Sequence, residues 1–145
     1  MESKKRKSYF DELGFKATID KLVNHVSKLY SEDEIPWIVG YSGGKDSSAC
    51  LQLMWNVLEK LKSENKSIKP LHIITTDTLV ENPIVALWVK TSLNLLREKA
   101  QKAGLPIFPT LLTPNIQETF WVNLIGKGYP APNNKFRWCT ERMKI

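Results

Sequence analysis

A short polar turn lies between two apolar segments, in the stretch "PWIVGYSGGKDSSACLQLMW" at residues 36–55. The run before the turn is typical of a buried strand, and the residues after it show helical spacing. Gly43 and Gly44 carry no Cβ, so backbone N–H groups can approach an anion closely. The helix that follows adds its free N–H groups and the positive end of its dipole. The turn is therefore a candidate phosphate site.

The side chains of this turn also suit a phosphate. Ser42 and Ser47 can donate hydroxyl hydrogen bonds, and Lys45 supplies a positive charge. Asp46 would repel a phosphate unless a divalent cation lies between them, so it predicts Mg²⁺. The purely structural alternative is a tight turn followed by a Ser-Asp-Ser helix cap. We favour phosphate binding.

Two common phosphate-binding motifs do not fit the turn. A Walker A loop needs a glycine where this chain has Val39, and a Ser or Thr where this chain has Asp46. The G-x-G-x-x-G pattern of dinucleotide-binding folds does not match either. Ordinary nucleoside triphosphate hydrolysis at a Walker site therefore loses its main support.

The rest of the chain alternates between helical and strand-like segments. Apolar spacing predicts a helix over 17–30, followed by strands at 35–41, 71–78 and 107–113 and helices at 46–62, 82–104, 115–126 and the charged C-terminal end. Cys50 is expected on the buried face of the helix at 46–62. This alternation predicts an α/β domain with a parallel sheet sandwiched by helices. Ligands of such sheets bind at the carboxyl ends of the strands, and all three ends are polar here.

Composition limits the class of protein. The chain has 145 residues, enough for one domain, and a net charge of +6, which suits a polyanionic partner. No apolar run approaches the roughly 18 residues that a membrane span needs, so no membrane association is predicted. Residues 1–16 are expected to be a basic, partly disordered tail and 17–145 the folded domain. The basic start lacks the apolar core of a secretory signal, which predicts a cytoplasmic protein.

The motif "SGGKDS" at residues 42–47 resembles the PP-loop of the ATP pyrophosphatase family, whose members split ATP between the α and β phosphates. The motif is strong for the family and weak for the substrate. The resemblance implies a PP-loop fold in which the turn holds the pyrophosphate of ATP and Asp46 binds Mg²⁺. The nucleotide-binding residues that it implies are Tyr41, Ser42, Gly43, Gly44, Lys45, Asp46 and Ser47.

The end of the second strand narrows the resemblance. "ITTDTLVENP" is similar to the reductase branch of the family, which implies that Thr76 and Asp77 bind the nucleotide and that Asp77 takes part in catalysis. A turn or helix cap is the structural alternative for Asp77. The order of strands in related domains implies that the first strand lies at an edge of the three.

The stretch "IGKGYPAPNNKFRWCTERMKI" resembles the DndC-like sulfurtransferase subunits of DNA phosphorothioation systems. The resemblance implies that Arg137, Arg142 and Lys144 bind phosphate-like oxygens. It also implies that Cys139 is catalytic, either handling sulfur or binding a 4Fe–4S cluster. Such a cluster usually needs four cysteines, and this chain has two, so the other ligands would lie outside it. Because these family proteins are far longer, we expect the chain to be an N-terminal part of a larger enzyme, with an incomplete fold.

Taken together, the resemblances imply an ATP pyrophosphatase that activates a DNA phosphate for sulfur incorporation. A cysteine desulfurase would supply the sulfur, and other phosphorothioation subunits would bring the DNA. Two alternatives stay open. One is a phosphoadenylyl-sulfate reductase or ATP sulfurylase-like enzyme that acts on a small sulfonucleotide. The other is a catalytically silent module that binds a nucleotide or a partner protein.

Overall fold

Three parallel strands form one sheet in the computed structural model, which describes residues 10–143. The strands are β1 (Trp37–Gly40), β2 (Leu71–Thr76) and β3 (Ile107–Leu112), in the spatial order β1-β2-β3. β2 is the central strand, and its Ile73 pairs with Val39 on one side and Pro109 on the other. β1 is therefore an edge strand in the described sheet, as the resemblance implied.

The helices follow the predicted alternation, with some changes at their ends. The helices are α1 (Phe10–Leu13), α2 (Phe15–Tyr30), α3 (Lys45–Ser63), α4 (Pro83–Ala103) and α5 (Trp138–Met143). α1 is a single turn within the predicted tail, and α2 starts two residues earlier than expected; Gly14 joins them. α4 matches the predicted helix closely, because Asn82 caps it, Pro83 occupies its first turn and Gly104 ends it with φ 59°.

The helix predicted over 115–126 is wrong in type. A 3₁₀ turn (Ile116–Glu118) and a short π-helical segment (Val122–Gly126) take its place. The amide of Asn123 is fully buried and donates to the carbonyls of Glu118 and Thr119, at 2.9 and 3.0 Å. A side chain that bonds backbone carbonyls in this way competes with regular helix formation.

The core lies on one face of the sheet. Leu71 and Ile73 of β2 are fully buried there, in a cluster to which α2, α3 and α4 all contribute. The opposite face is more open, with Ile38 67% and Phe108 49% exposed. The structure thus confirms an α/β parallel sheet flanked by helices, while α2, α3 and α4 supply the helix layer of one face only.

The prediction that Cys50 is a packing residue is wrong, because its side chain is exposed. α3 begins at the carboxyl edge of the sheet, and its buried residues start only at Met54, one turn after Cys50. Further along the same helix, Leu53 is half-buried, and Val57, Leu58 and Leu61 are fully buried as predicted.

A buried lysine joins α2 to the loop before β2. The Lys69 side chain is 4% exposed, and its ammonium contacts Asp33 Oδ1 at 2.6 Å. The same ammonium lies 4.9 Å from the ring centre of Tyr30 and 5.4 Å from that of Trp37. The Tyr30 hydroxyl donates to the carbonyl of Lys69. This arrangement pairs a buried charge, which would otherwise be costly.

Within residues 10–143, none of the helices is both long enough and apolar enough to cross a membrane.

Candidate functional site

The glycine turn, residues 41–47, starts as a continuation of β1. The N–H of Tyr41 donates to Ile74 O at 2.8 Å, and the hydroxyl of Thr75 donates to Tyr41 O at 2.6 Å. The backbone N–H and C=O of Tyr41 are thereby both hydrogen-bonded to β2, and its side chain is buried. The chain leaves the sheet only after this residue. Ser42 and the two glycines consequently lie at the carboxyl edge of β1.

Gly43 has a backbone conformation that requires glycine. Its φ is +75°, and a Cβ at this position would lie 2.7 Å from Val89 Cγ2 and 3.3 Å from Trp88 Cδ1. The N-terminal half of α4 therefore packs directly on the turn. Gly44 differs, because its φ of −82° and ψ of 169° are extended and its nearest neighbour would be Ser42 Oγ at 3.5 Å.

Hydrogen bonds between serines close the turn. Ser47 Oγ donates to Gly44 O at 3.1 Å and accepts from the N–H of Ser42 at 3.3 Å, while the two hydroxyls lie 3.1 Å apart. Gly44 is the N-cap of α3 and offers no side chain to the N–H groups of the first helical turn. Those groups have no acceptor within the helix, so they remain suited to an external anion.

Lys45 and Asp46 open α3, and both are exposed. The lysine brings a positive charge to the same helix end as the N–H groups. The carboxylate of Asp46 is open to solvent and can reach a hydrated cation. The sequence expectation of a cation and a carboxylate side by side at the start of the helix agrees with this placement.

A cleft of about 470 Å³ lies beside the turn, at the carboxyl ends of β1 and β2. Its volume is within the range of small-molecule sites. Four residues predicted to bind nucleotide line it, namely Tyr41, Ser42, Thr76 and Asp77. Apolar residues of α4, including Val85 and Val89, form another wall. The cleft therefore combines a polar strand edge with an apolar wall.

Asp77 is held in place at the end of β2. Its N–H donates to Leu112 O at 2.8 Å, and its Oδ1 accepts from the N–H of Leu79 at 2.9 Å. Leu79 has φ 62°, which is uncommon for a leucine and costly in a tight turn. This hydrogen bond occupies one of the two carboxylate oxygens. Asp77 can therefore stabilise the turn with one carboxylate oxygen and bind a ligand with the other, so the two expected roles do not exclude each other.

Magnesium is the cation that the sequence predicts at Asp46. Magnesium is usually held by one or two carboxylates together with substrate phosphates. Asp46 and Asp77 are the residues that would hold it. Residues 10–143 contain no group of three or more His, Cys, Asp and Glu side chains arranged for a metal, so an all-protein cage is not formed in that part of the chain.

The C-terminal segment folds around Trp138, which is 3% exposed. Its ring stacks on Phe120 with 5.3 Å between centroids and lies 5.2 Å from Tyr129. Its indole N–H donates to Pro130 O at 2.9 Å. Residues 127–133 and 136–143, which belong to the stretch that carries the DndC-like resemblance, are thereby packed against each other.

The structure does not bring Arg137, Cys139 or Arg142 to the cleft, whose described lining lies between Ile38 and Leu111. Arg142 instead donates to the Tyr129 hydroxyl, and its guanidinium carbon lies 5.1 Å from the Tyr129 ring centre. Arg137 is exposed, and Cys139 is half-buried. Lys144 lies outside the described residues.

The described residues hold fewer cysteines than an iron–sulfur cluster needs. Cys139 and Cys50 are both free thiols, and neither belongs to a described group of three or more metal-ligating side chains. A cluster needs about four thiolates. Residues 10–143 therefore do not form such a site.

Sequence reasoning missed several residues of the site. Trp88 donates its indole N–H to Gly43 O at 3.3 Å, and Val89 packs on the same glycine. The only sequence signal at these positions is apolar helical spacing, which predicts a helix face and not its partner. Buried Asn123 was also missed, and its Oδ1 has no hydrogen-bond partner among the described residues.

In comparisons with protein-family models, with curated proteins and with solved structures, nothing matched the chain. The motif and the geometry of the glycine turn are therefore the basis for a functional assignment.

Proposed function

We propose that the chain is an ATP pyrophosphatase and sulfurtransferase component of DNA phosphorothioate modification, with ATP bound at the glycine turn. The observation that carries this proposal is the turn itself. Two glycines and a helix start lie at the carboxyl end of β1, next to a cleft of about 470 Å³. The "SGGKDS" motif of the ATP pyrophosphatase family occupies this turn.

The glycine turn would bind the pyrophosphate part of ATP. N–H groups at the start of α3 would donate to phosphate oxygens, assisted by Lys45 and the positive end of the helix dipole. Negative charge grows on the leaving pyrophosphate as the α–β bond breaks. Donors that are already fixed in place stabilise that charge without reorganising. The serine hydrogen bonds that close the turn support such a preorganised role.

The cleft would hold the nucleoside. Its apolar wall, formed by Val85 and Val89, suits the face of a base, and the polar end of β2 at Thr76 and Asp77 suits the ribose and a metal. Magnesium between Asp46, Asp77 and the phosphates would neutralise charge on the phosphates and so remove the repulsion of Asp46.

The reaction follows from the bond that is cleaved. A non-bridging oxygen of the DNA phosphate attacks the α phosphorus of ATP, and pyrophosphate leaves. A thiol reductant would first cleave the persulfide of a cysteine desulfurase, which releases hydrosulfide and leaves a disulfide. The hydrosulfide then attacks the activated DNA phosphorus, and AMP leaves with the original oxygen as the P–S bond forms. The resemblance of the C-terminal segment supports this substrate class, with the exposed Arg137 as a cation available to phosphate oxygens, whereas Arg142 already donates to the Tyr129 hydroxyl. Other phosphorothioation subunits would present the DNA.

Product analysis tests the proposal. The protein is incubated with ATP, Mg²⁺ and duplex DNA, and the nucleotides are separated by anion-exchange chromatography. AMP and pyrophosphate are expected, whereas ADP and orthophosphate alone would contradict the assignment. Calorimetric titrations with ATP, pyrophosphate and adenosine measure binding directly, and ATP and pyrophosphate should both bind.

Other outcomes separate the alternative functions. Tight binding of an adenylyl sulfate without ATP turnover would favour an enzyme that acts on a small sulfonucleotide. Binding of ATP without release of pyrophosphate would favour a nucleotide-binding module that is catalytically silent by itself.

A further inference from the structure

A tryptophan from a distant part of the chain is hydrogen-bonded to the backbone of the glycine turn. Trp88 Nε1 donates to Gly43 O at 3.3 Å across 45 residues of sequence. Trp88 lies in the second turn of α4 and is 60% exposed. An indole so exposed gains little from core packing, so its contact with the turn calls for another explanation.

The hydrogen bond determines the direction of a second backbone group. The Gly43 carbonyl and the Gly44 N–H belong to one peptide unit, and none of the peptide bonds in residues 10–143 is cis. In a trans peptide the C=O and the N–H point in opposite directions. With its carbonyl turned towards Trp88, this peptide directs the Gly44 N–H away from α4.

The Gly43–Gly44 peptide lies between β1 and α3, where the hydrogen bonds of a helix or a sheet do not restrict its rotation. The next carbonyl, Gly44 O, is already held by the N–H of Ser48 at 3.0 Å and by Ser47 Oγ at 3.1 Å. Gly43, with φ +75°, comes before that fixed part and is a residue with wide conformational freedom. A hydrogen bond to its carbonyl therefore restricts the turn where the backbone itself does not.

Helix α4 is well placed to act as a rigid support. Val89, next to Trp88, is 7% exposed and packs on Gly43. The start of the helix is fixed by Asn82, whose side chain accepts from the N–H of Ile84 at 2.9 Å. The indole donor is consequently held by a helix that is anchored at its N-terminus and beside the turn.

We propose that Trp88 is a positioning residue of the glycine turn. Its indole N–H holds the Gly43–Gly44 peptide so that the Gly44 N–H is presented to the pyrophosphate of a bound nucleotide. This inference rests on the proposed function, since it assumes that the turn binds phosphate. Trp88 acts through the backbone and does not itself contact the reacting atoms.

The test compares two conservative substitutions of exposed tryptophans. Trp88→Phe keeps an aromatic ring and removes the donor, and Trp121→Phe is the matched control, since Trp121 is 57% exposed and lies outside the cleft. Binding of pyrophosphate, ATP and adenosine is measured by calorimetry for both variants and the parent protein. A ¹⁵N spectrum follows the Gly44 amide during titration with pyrophosphate.

Trp88→Phe is expected to weaken pyrophosphate and ATP binding about fivefold, or about 1 kcal/mol, and to leave adenosine binding unchanged. The shift of the Gly44 amide on adding pyrophosphate should shrink in this variant and persist in Trp121→Phe. A merely structural role for the ring would lower the affinity for adenosine as well, or change neither.

These measurements distinguish failure of the proposed function from failure of the positioning role of Trp88. If the parent protein binds neither ATP nor pyrophosphate, the proposed function falls, and the role of Trp88 falls with it. If the parent binds both and Trp88→Phe binds pyrophosphate equally well, only the positioning role is overturned. An equal loss of affinity for pyrophosphate and adenosine would also overturn it.

Discussion

Replacing Gly43 by alanine tests two reasons why the turn needs glycine at this position. One is the left-handed backbone conformation, and the other is the lack of space for a Cβ. Gly43 has φ +75°, and an added Cβ would lie 2.7 Å from Val89 Cγ2. The left-handed conformation costs an L-residue about 1–2 kcal/mol, and overpacking against a buried neighbour costs about 1–3 kcal/mol. We therefore expect Gly43→Ala to lower the free energy of unfolding by about 2–5 kcal/mol.

Gly44→Ala is the matched control one position away. Gly44 is extended, with φ −82° and ψ 169°, and an added Cβ would be in ordinary contact with Ser42 Oγ at 3.5 Å. Its free energy of unfolding should stay within about 1 kcal/mol of the parent value, because alanine also restricts the unfolded chain.

A double substitution separates the two costs at Gly43. Val89→Ala removes the methyl group that the new Cβ would meet, at a cost of about 1–3 kcal/mol by itself. Gly43→Ala combined with Val89→Ala should lose at least about 1 kcal/mol less than the sum of the single losses, because the shared clash is gone. The conformational cost of φ should remain in the double variant.

Urea unfolding followed by far-UV circular dichroism measures the four variants and the parent protein, with linear extrapolation to water. Equal stabilities of the Gly43 and Gly44 variants would refute the reasoning. Strict additivity in the double variant would refute the steric part alone.

Three further predictions concern the Lys69 arrangement and the anion site. Tyr30→Phe leaves the Lys69 carbonyl without its donor and should lower the free energy of unfolding by about 1–3 kcal/mol in urea. Burial raises the pKa of Tyr30 to about 12, so the parent should lose this advantage as pH rises from about 10 through 12; a constant difference across that range would contradict it. The pKa of Asp33 is lowered mainly by the hydrogen bond from Lys69 and next by that from the Ile35 N–H. The stability advantage of the parent over Asp33→Asn should therefore be complete above the unfolded pKa of about 3.9. It should be lost as pH falls through the lower folded pKa. Urea unfolding at neutral and acid pH measures that advantage, and its persistence in strong acid would exclude the ion pair as its source. Gly44→Val should keep the fold and weaken pyrophosphate binding at least about tenfold, or about 1.4 kcal/mol, whereas unchanged binding by calorimetry would place the anion elsewhere.

The regular elements could be predicted largely because their signals are local. The ends of α4 follow from an Asn cap, a first-turn Pro and a terminal Gly, and each of these acts through its own backbone conformation. β2 follows from the apolar run in "LHIITT", and the structure shows that its residues alternate between buried and half-buried. The segment at 115–126 departs from prediction because the buried side chain of Asn123 bonds carbonyls that a regular helix would use.

The candidate site was predictable only in part. Tyr41, Ser42, Thr76 and Asp77 line one cleft, as expected of polar residues at the ends of neighbouring parallel strands. The C-terminal residues were predicted to join them through a resemblance, which carries no geometry. In the structure Trp138 instead organises its own aromatic cluster.

The sequence by itself determined the alternation of strands and helices, the glycine turn after β1 and the polar ends of the strands. These features depend on residues close together in the chain, through side-chain periodicity and backbone conformation. Only the tertiary structure decided which glycine is constrained, because the reason is the side chain of Val89, 46 residues later. It likewise decided that Cys50 is exposed and that Lys69 is buried against Tyr30. Burial and long-range contact depend on where other elements pack, and no local pattern specifies that.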